Sequence, residues 1–204
     1  MSYYCEKYGS DKGFVNLNEK KLYHWRPHTY ASYYHSIFNL HRDSVKLVFE
    51  CGIGTNKPDI RSNMSVSGIP GASLRVWRDY FSNANIYGAD IDKNILFEDE
   101  RINTFYVDQL NTDSIKSMWK KIGVKNFDII IDDGLYEPEA NINFFDNSFD
   151  KLRKNGTYVI EDVSNKYIKL LQNYLKKYDT EIVVLTSNYN KFYYDNNLII
   201  VKKT

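Results

Sequence analysis

Short apolar runs of strand length alternate with stretches of helical periodicity, and this alternation constrains the fold more than any other feature of the chain. Residues 45–51, 84–91, 104–107, 127–131 and 156–160 have the length and β-branched or aromatic content of strands. The Ile129-Ile130-Ile131 run is continuous, as a strand covered on both faces should be. Between the runs, Leu74, Trp77 and Phe81 fall at i, i+3 and i+7. Asp113 is placed to cap a helix that stops at Gly123. Pro138 suits the first turn of a helix whose stripe is Ile142, Phe145, Phe149 and Leu152. Asn155-Gly156 then turns the chain into the fifth strand, and Ile168, Leu171, Leu175 and Tyr178 mark another helix. Such alternation predicts an α/β fold, a doubly wound parallel sheet with helices on both faces.

Residues 181–185 and 198–201 supply a sixth and a seventh strand. The dozen residues between them carry no helical pattern, so this pair is predicted to be antiparallel. Residues 29–40 read as an aromatic-rich helix. The expected organisation is one domain over residues 1–204, with a helical arm or lid at 1–44 and a Rossmann-like core at 45–204.

The chain has 204 residues, 27 Lys plus Arg against 26 Asp plus Glu, and a net charge of +1. That balance argues against a nucleic-acid partner held by bulk charge. No apolar run approaches the roughly 20 residues of a membrane span. The first residues show no apolar secretory core, and Cys5 and Cys51 are too few for a disulfide framework or a zinc site. A cytoplasmic location is therefore expected.

The strand ends carry the chemistry. The first ends in Glu50-Cys51-Gly52-Ile53-Gly54, the second in Asp90, and the third in Asp108-Gln109. Glycines let a ligand approach the backbone, and an acid after the second strand can accept both ribose hydroxyls. Two ligand classes fit, a dinucleotide or S-adenosylmethionine. A dinucleotide needs its glycine loop to run straight into a helix N-terminus. Here residues 55–70 intervene before the helix, which a ligand without phosphates tolerates better. Asp132 and Asp133 end the fourth strand, and Glu161 and Asp162 end the fifth. Neighbouring strands lie about 5 Å apart, so Asp133, Glu161 and Asp162 can converge, either on a hard cation such as Mg2+ or as caps of the following helices.

The chain resembles class I S-adenosylmethionine-dependent methyltransferases. It is most similar to the branch holding the metal-dependent sugar O-methyltransferases of macrolide biosynthesis and their capsule-cluster relatives. The resemblance rests on Lys7-Tyr8-Gly9-Ser10-Asp11-Lys12, on residues 49–54, and on Ser73-Leu74-Arg75-Val76-Trp77 with the insertion before it. It continues through residues 86–91, Ile131-Asp132-Asp133-Gly134 and Ile160-Glu161-Asp162. It implies a three-layer α/β/α sandwich whose seven-stranded, mostly parallel sheet has an antiparallel last strand. It also implies a cofactor site from Glu50, Gly52, Gly54, Ser73, Asp90, Asp108, Gln109 and Asp132, and a metal site from Asp133, Glu161 and Asp162.

The relatives place a basic histidine two residues beyond the glycine matching Gly134, where this chain has Tyr136. Asp133, Tyr136 and Glu137 are therefore the catalytic candidates, with His24, His28 and His35 in the arm as further imidazoles and Arg26 available to pair an anion. Without the histidine, an acceptor that is already anionic gains weight, because it needs no base. The expected activity is O-methylation of a small polar acceptor in capsule biosynthesis. The acceptor is a phosphoramidate or phosphate-type oxygen, or a hydroxyl of a sugar or nucleotide-linked sugar. The alternatives are an NAD-binding oxidoreductase and a non-catalytic module of the same fold.

Overall fold

Strand β1 (Leu47–Cys51) lies near the middle of a single eight-stranded sheet and pairs in parallel with β2 (Asn85–Asp90) and β5 (Phe127–Asp132). This computed structural model describes residues 1–13, 27–185 and 195–204. The remaining strands are β3 (Glu98–Asp99), β4 (Ile102–Tyr106), β6 (Leu152–Ile160), β7 (Asp179–Val184) and β8 (Asn197–Lys202). Their order is β3-β4-β2-β1-β5-β6-β8-β7. Strand order reverses beside β1, and doubly wound sheets bind ligands in the crevice such a reversal opens at the carboxyl edge.

Every residue of β5 is buried. Alternation along it divides the core: Ile130 packs with Trp119, Phe144, Phe145 and Leu171 on one face. Ile129 and Ile131 pack with Tyr30, Tyr34, Leu74 and Trp77 on the other. Helices α4 (Thr112–Ile122), α5 (Pro138–Ser148) and α6 (Ile168–Leu175) thus cover the first face, and α2 (Tyr30–Phe38) and α3 (Ala72–Tyr80) the second. Helix α1 (Ser2–Tyr8) lies outside α3 and α2, with Cys5 buried against Ala31 and Val76. Each fully buried aromatic or aliphatic side chain contributes roughly 1.5–3 kcal/mol. Tyr34 and Trp77, both wholly buried, therefore anchor the described part of the N-terminal arm to the sheet.

Several expectations need adjustment. Among the described residues the sheet has eight strands rather than seven, because the two-residue β3 pairs antiparallel with β4. The sixth and seventh predicted strands pair antiparallel as expected, and the last strand, β8, is the reversed one, lying between β6 and β7. Asn111, not Asp113, caps α4, accepting from the backbone N–H groups of Asp113 and Ser114. Asn155-Gly156 does not precede the fifth strand. It forms an irregularity inside β6, with Asn155 at φ +60° and the register against β5 shifting nearby. No helix among the described residues is long and apolar enough to cross a membrane.

Candidate active site

The turn after β1 opens a cavity of about 270 Å³ at the carboxyl edge of the sheet. Gly52 adopts φ +85°, and a Cβ there would lie 2.1 Å from the carbonyl oxygen of Asp133. Only glycine lets the β1 and β5 loops approach this closely. Gly52, Gly54, Asp90, Asp108, Asp133 and Asp162 all line the cavity, so loops from five strands converge on one space.

At one end, Asp90 is fixed by backbone donors: Ile53 N–H to Oδ2 and Asp92 N–H to Oδ1, each at 2.9 Å. Burial pushes its carboxyl up, against the pull of those donors. The carboxylate faces the cavity with acceptor capacity left for a diol. Asp108 accepts from the Leu110 N–H at 3.0 Å and lines the same end.

Two expected cofactor residues, Glu50 and Asp132, lie beneath this wall instead of on it, and Ser73 lines a small adjoining pocket with Gly52 and Gly54. Asp132 is wholly buried and accepts from Gln109 Nε2 at 2.6 Å and Asn141 Nδ2 at 2.9 Å. Ser73 donates its hydroxyl to Glu50 Oε2 at 2.6 Å, and Trp77 Nε1–H reaches the same oxygen at 3.1 Å. Glu50 is itself wholly buried, so it ties β1 to α3. Gln109 does reach the cavity, but its side chain is engaged, accepting from the Leu135 N–H at 2.7 Å while it donates to Asp132.

At the other end, one carboxylate oxygen each from Asp133, Glu161 and Asp162 lies within 4.8 Å of the others. Lys12 reaches into this group with its side chain only 3% exposed. Its Nζ stands 2.5 Å from Glu161 Oε2, 2.6 Å from Asp133 Oδ2 and 3.0 Å from Glu50 Oε1. Burial opposes the ammonium's charge, but Asp133, Glu161 and Glu50 outweigh it and hold the Lys12 pKa well above its ordinary value. Burial pushes the Glu161 carboxyl up to about 7, with Lys12 opposing the shift and Glu50 and Asp162 adding to it. The Tyr34 hydroxyl donates to Glu161 Oε1, and Tyr30 donates to Asp162 Oδ1 at 2.7 Å. His28 brings Nε2 to 3.4 Å from the same Asp162 oxygen. The three carboxylates are a hard-oxygen donor set, and such sets fit a small divalent cation.

No family model matches the chain. Among curated proteins, it is 30% identical over 161 residues to 8-demethyl-8-alpha-L-rhamnosyl tetracenomycin-C 2'-O-methyltransferase of Streptomyces olivaceus, covering 79% of this chain and 37% of that protein. It is 32% identical over 140 residues to demethylmacrocin O-methyltransferase of Streptomyces fradiae, covering 69% of this chain and 33% of that one. Among solved structures, the MycE methyltransferase of the mycinamycin biosynthetic pathway, in complex with Mg and SAH, superposes with a TM-score of 0.66 at 25% identity. That superposition covers 99% of this chain and 54% of MycE.

The chain belongs to the class I S-adenosylmethionine-dependent methyltransferase family by sequence relationship and fold. It spans about a third of the length of the curated relatives it matches. Fold alone is broader: a ribosomal RNA methyltransferase from Plasmodium falciparum, at 17% identity and TM-score 0.56, and a spermidine synthase from Thermotoga maritima, at 15% and 0.54, share it.

In this member of the family, Tyr136 lines the cavity where the resemblance led to a histidine. Glu137 lies outside that cavity and forms an exposed ion pair with Arg61 of the insertion after β1. His28 reaches the site, whereas His35 bonds the Tyr80 hydroxyl at 3.0 Å on the outer side of α2. His24 and Arg26 lie outside the described residues. Lys12 stood in the segment that carries the resemblance but had no role assigned from sequence, and neither had Tyr30 or Tyr34. The signal for a role was indirect: four acids gathered at strand ends require a cation and donors from elsewhere.

Proposed function

We propose that this chain carries out S-adenosylmethionine-dependent O-methylation of a sugar hydroxyl on a small glycosylated acceptor, assisted by a divalent cation. One observation carries the reading: Asp90, placed to accept a ribose diol, and the Asp133, Glu161 and Asp162 carboxylates line one continuous cavity. Two relatives are named for 2'-O- and 3'-O-methylation of rhamnosyl tetracenomycins, and MycE has been solved with Mg, SAH and mycinamycin VI.

In this reading Asp90 and Asp108 hold the adenosine, and Gly52 and Gly54 admit the methionine end. Glu50, Ser73, Gln109 and Asp132 brace those loops from below. Asp133, Glu161 and Asp162 would hold the cation, and the chemistry it would supply there is to lower the pKa of the acceptor hydroxyl. Tyr136 borders the acceptor end. Burial pushes the Tyr136 phenol well above its ordinary value, with Asp162 and Asp133 adding to the shift, so it serves as wall and hydrogen-bond partner, not as a base at neutral pH. Tyr30 and Tyr34 fix the orientation of Asp162 and Glu161. The acceptors named for the relatives are sugar hydroxyls, which favours a hydroxyl over the phosphoramidate oxygen and lends the capsule setting no support.

The test is calorimetry followed by turnover. S-adenosylhomocysteine binds with NAD showing no heat, a rhamnosyl or related glycoside is methylated, and rigorous chelation or Asp162→Asn lowers turnover by about a hundredfold or more. Undiminished turnover after chelation removes the metal from the reading, and absence of S-adenosylhomocysteine binding removes the reading itself.

A further inference from the structure

The carboxylate nest is larger than the three-residue cation set. Glu50 adds a fourth carboxylate, and Lys12 Nζ sits among Glu50, Asp133 and Glu161. Two triads therefore share Asp133 and Glu161: an inner one closed by Glu50 and an outer one closed by Asp162. Glu50 and Glu161 side chains are wholly buried, whereas those of Asp133 and Asp162 are 21% and 11% exposed. The inner triad is the drier and, unoccupied, would attract a cation more strongly.

The backbone holds Lys12 in place. The Lys12 carbonyl accepts from Ala31 N–H at 2.8 Å and the Asp11 carbonyl from His28 N–H at 2.7 Å, docking the segment on the start of α2. Glu50 Oε1 has Lys12 at ion-pair distance but no well-aligned hydrogen bond, as expected of an oxygen held by charge.

We infer that Lys12 is a positioning residue whose ammonium fills the inner triad and so confines a divalent cation to the outer one, on the acceptor side of the cavity. The inference rests on the metal reading above. An ammonium cannot bind acceptor oxygens while keeping its own three carboxylates, and it cannot dissociate. It thus leaves Asp162 and the exposed side of Asp133 as the place where an exchangeable cation meets substrate. It also lowers the charge that cation experiences, which keeps binding reversible.

The experiment measures Mn2+ stoichiometry and affinity by electron paramagnetic resonance, with S-adenosylhomocysteine present, in wild type, Lys12→Met and the double variant Lys12→Met/Glu50→Gln. Circular dichroism confirms folding, and the double variant removes one charge of each sign from the inner triad, so it stays informative if Lys12→Met fails to fold. Wild type is expected to bind one ion. Lys12→Met should bind a second ion, or one ion about tenfold or more tighter. The double variant should return to one ion with near-wild-type affinity. A Lys12→Met protein with unchanged stoichiometry and affinity overturns the inference while leaving the metal reading intact. So does a double variant that keeps the second ion. If wild type binds no Mn2+ and Lys12→Met binds one, the metal reading fails and the confinement of a cation to the outer triad fails with it. If none of the three binds Mn2+, both fall.

Discussion

Asp132 and Asp133 are neighbours with different work, and only their surroundings separate them. The pleat sends Asp133 toward the cavity and Asp132 into the protein, where Gln109 and Asn141 satisfy it. Burial pushes the Asp132 carboxyl from 3.8 up to about 6, with the two amide donors opposing the shift. Between those pH values the folded state binds more protons than the unfolded state. This group's contribution to stability therefore falls as pH rises from about 4 to about 6 and is level above that. At about 1.4 kcal/mol per unit, the fall amounts to roughly 2–3 kcal/mol. Urea denaturation of metal-free protein across that range should show it, and Asp132→Asn should flatten it. Equal slopes in both proteins would assign the pH dependence elsewhere. The acid at position 132 was legible in the sequence as a strand-end carboxylate. Its inward direction was not, because Asp-Asp at a strand end leaves open which member faces the ligand.

Among the elements, those governed by neighbours in sequence were the most legible. Helix α3 follows from the Leu74, Trp77 and Phe81 spacing, and α4 stops at Gly123 in the left-handed conformation, φ +67°. Pro138 opens α5. Asn111 took the cap from Asp113 because either side chain can bond the first-turn N–H groups, and only the position of the first turn decides between them. Strand β3 was missed because two residues, Glu98 and Asp99, have no periodicity, and their pairing comes from β4. The turn after β1 gives the element-scale prediction. In Gly52→Ala the new methyl meets the Asp133 carbonyl at a positive φ, so the β1 and β5 loops must separate. The expected cost is about 2 kcal/mol or more, with S-adenosylhomocysteine binding weakened at least about tenfold. A variant with wild-type melting and wild-type calorimetry would show that the close approach is dispensable.

At the scale of the whole molecule, ligand binding and folding are linked. The cavity is formed by loops from five strands and by the Lys12 segment, so it exists only in the folded chain. S-adenosylhomocysteine at a hundredfold over its Kd should raise unfolding free energy by about 2.7 kcal/mol, and NAD should not. Thermal melts with each ligand check this, and stabilisation by NAD alone would return the site to the dinucleotide class.

The sequence by itself determined the alternation of strand and helix and the placement of an acid or glycine at the end of each central strand. Both are local: periods of 2 and 3.6 residues are written in consecutive side chains, and a strand's last residue sits at the sheet edge wherever the strand lies. Tertiary structure alone decided which acids meet. Lys12 reaches Asp133 across 121 positions and Glu161 across 149, and Tyr34 reaches Glu161 across 127. No local pattern encodes those pairings, because they arise from strand order and from where the N-terminal segment docks on α2. The electrostatic character of the site is therefore a property of the folded molecule.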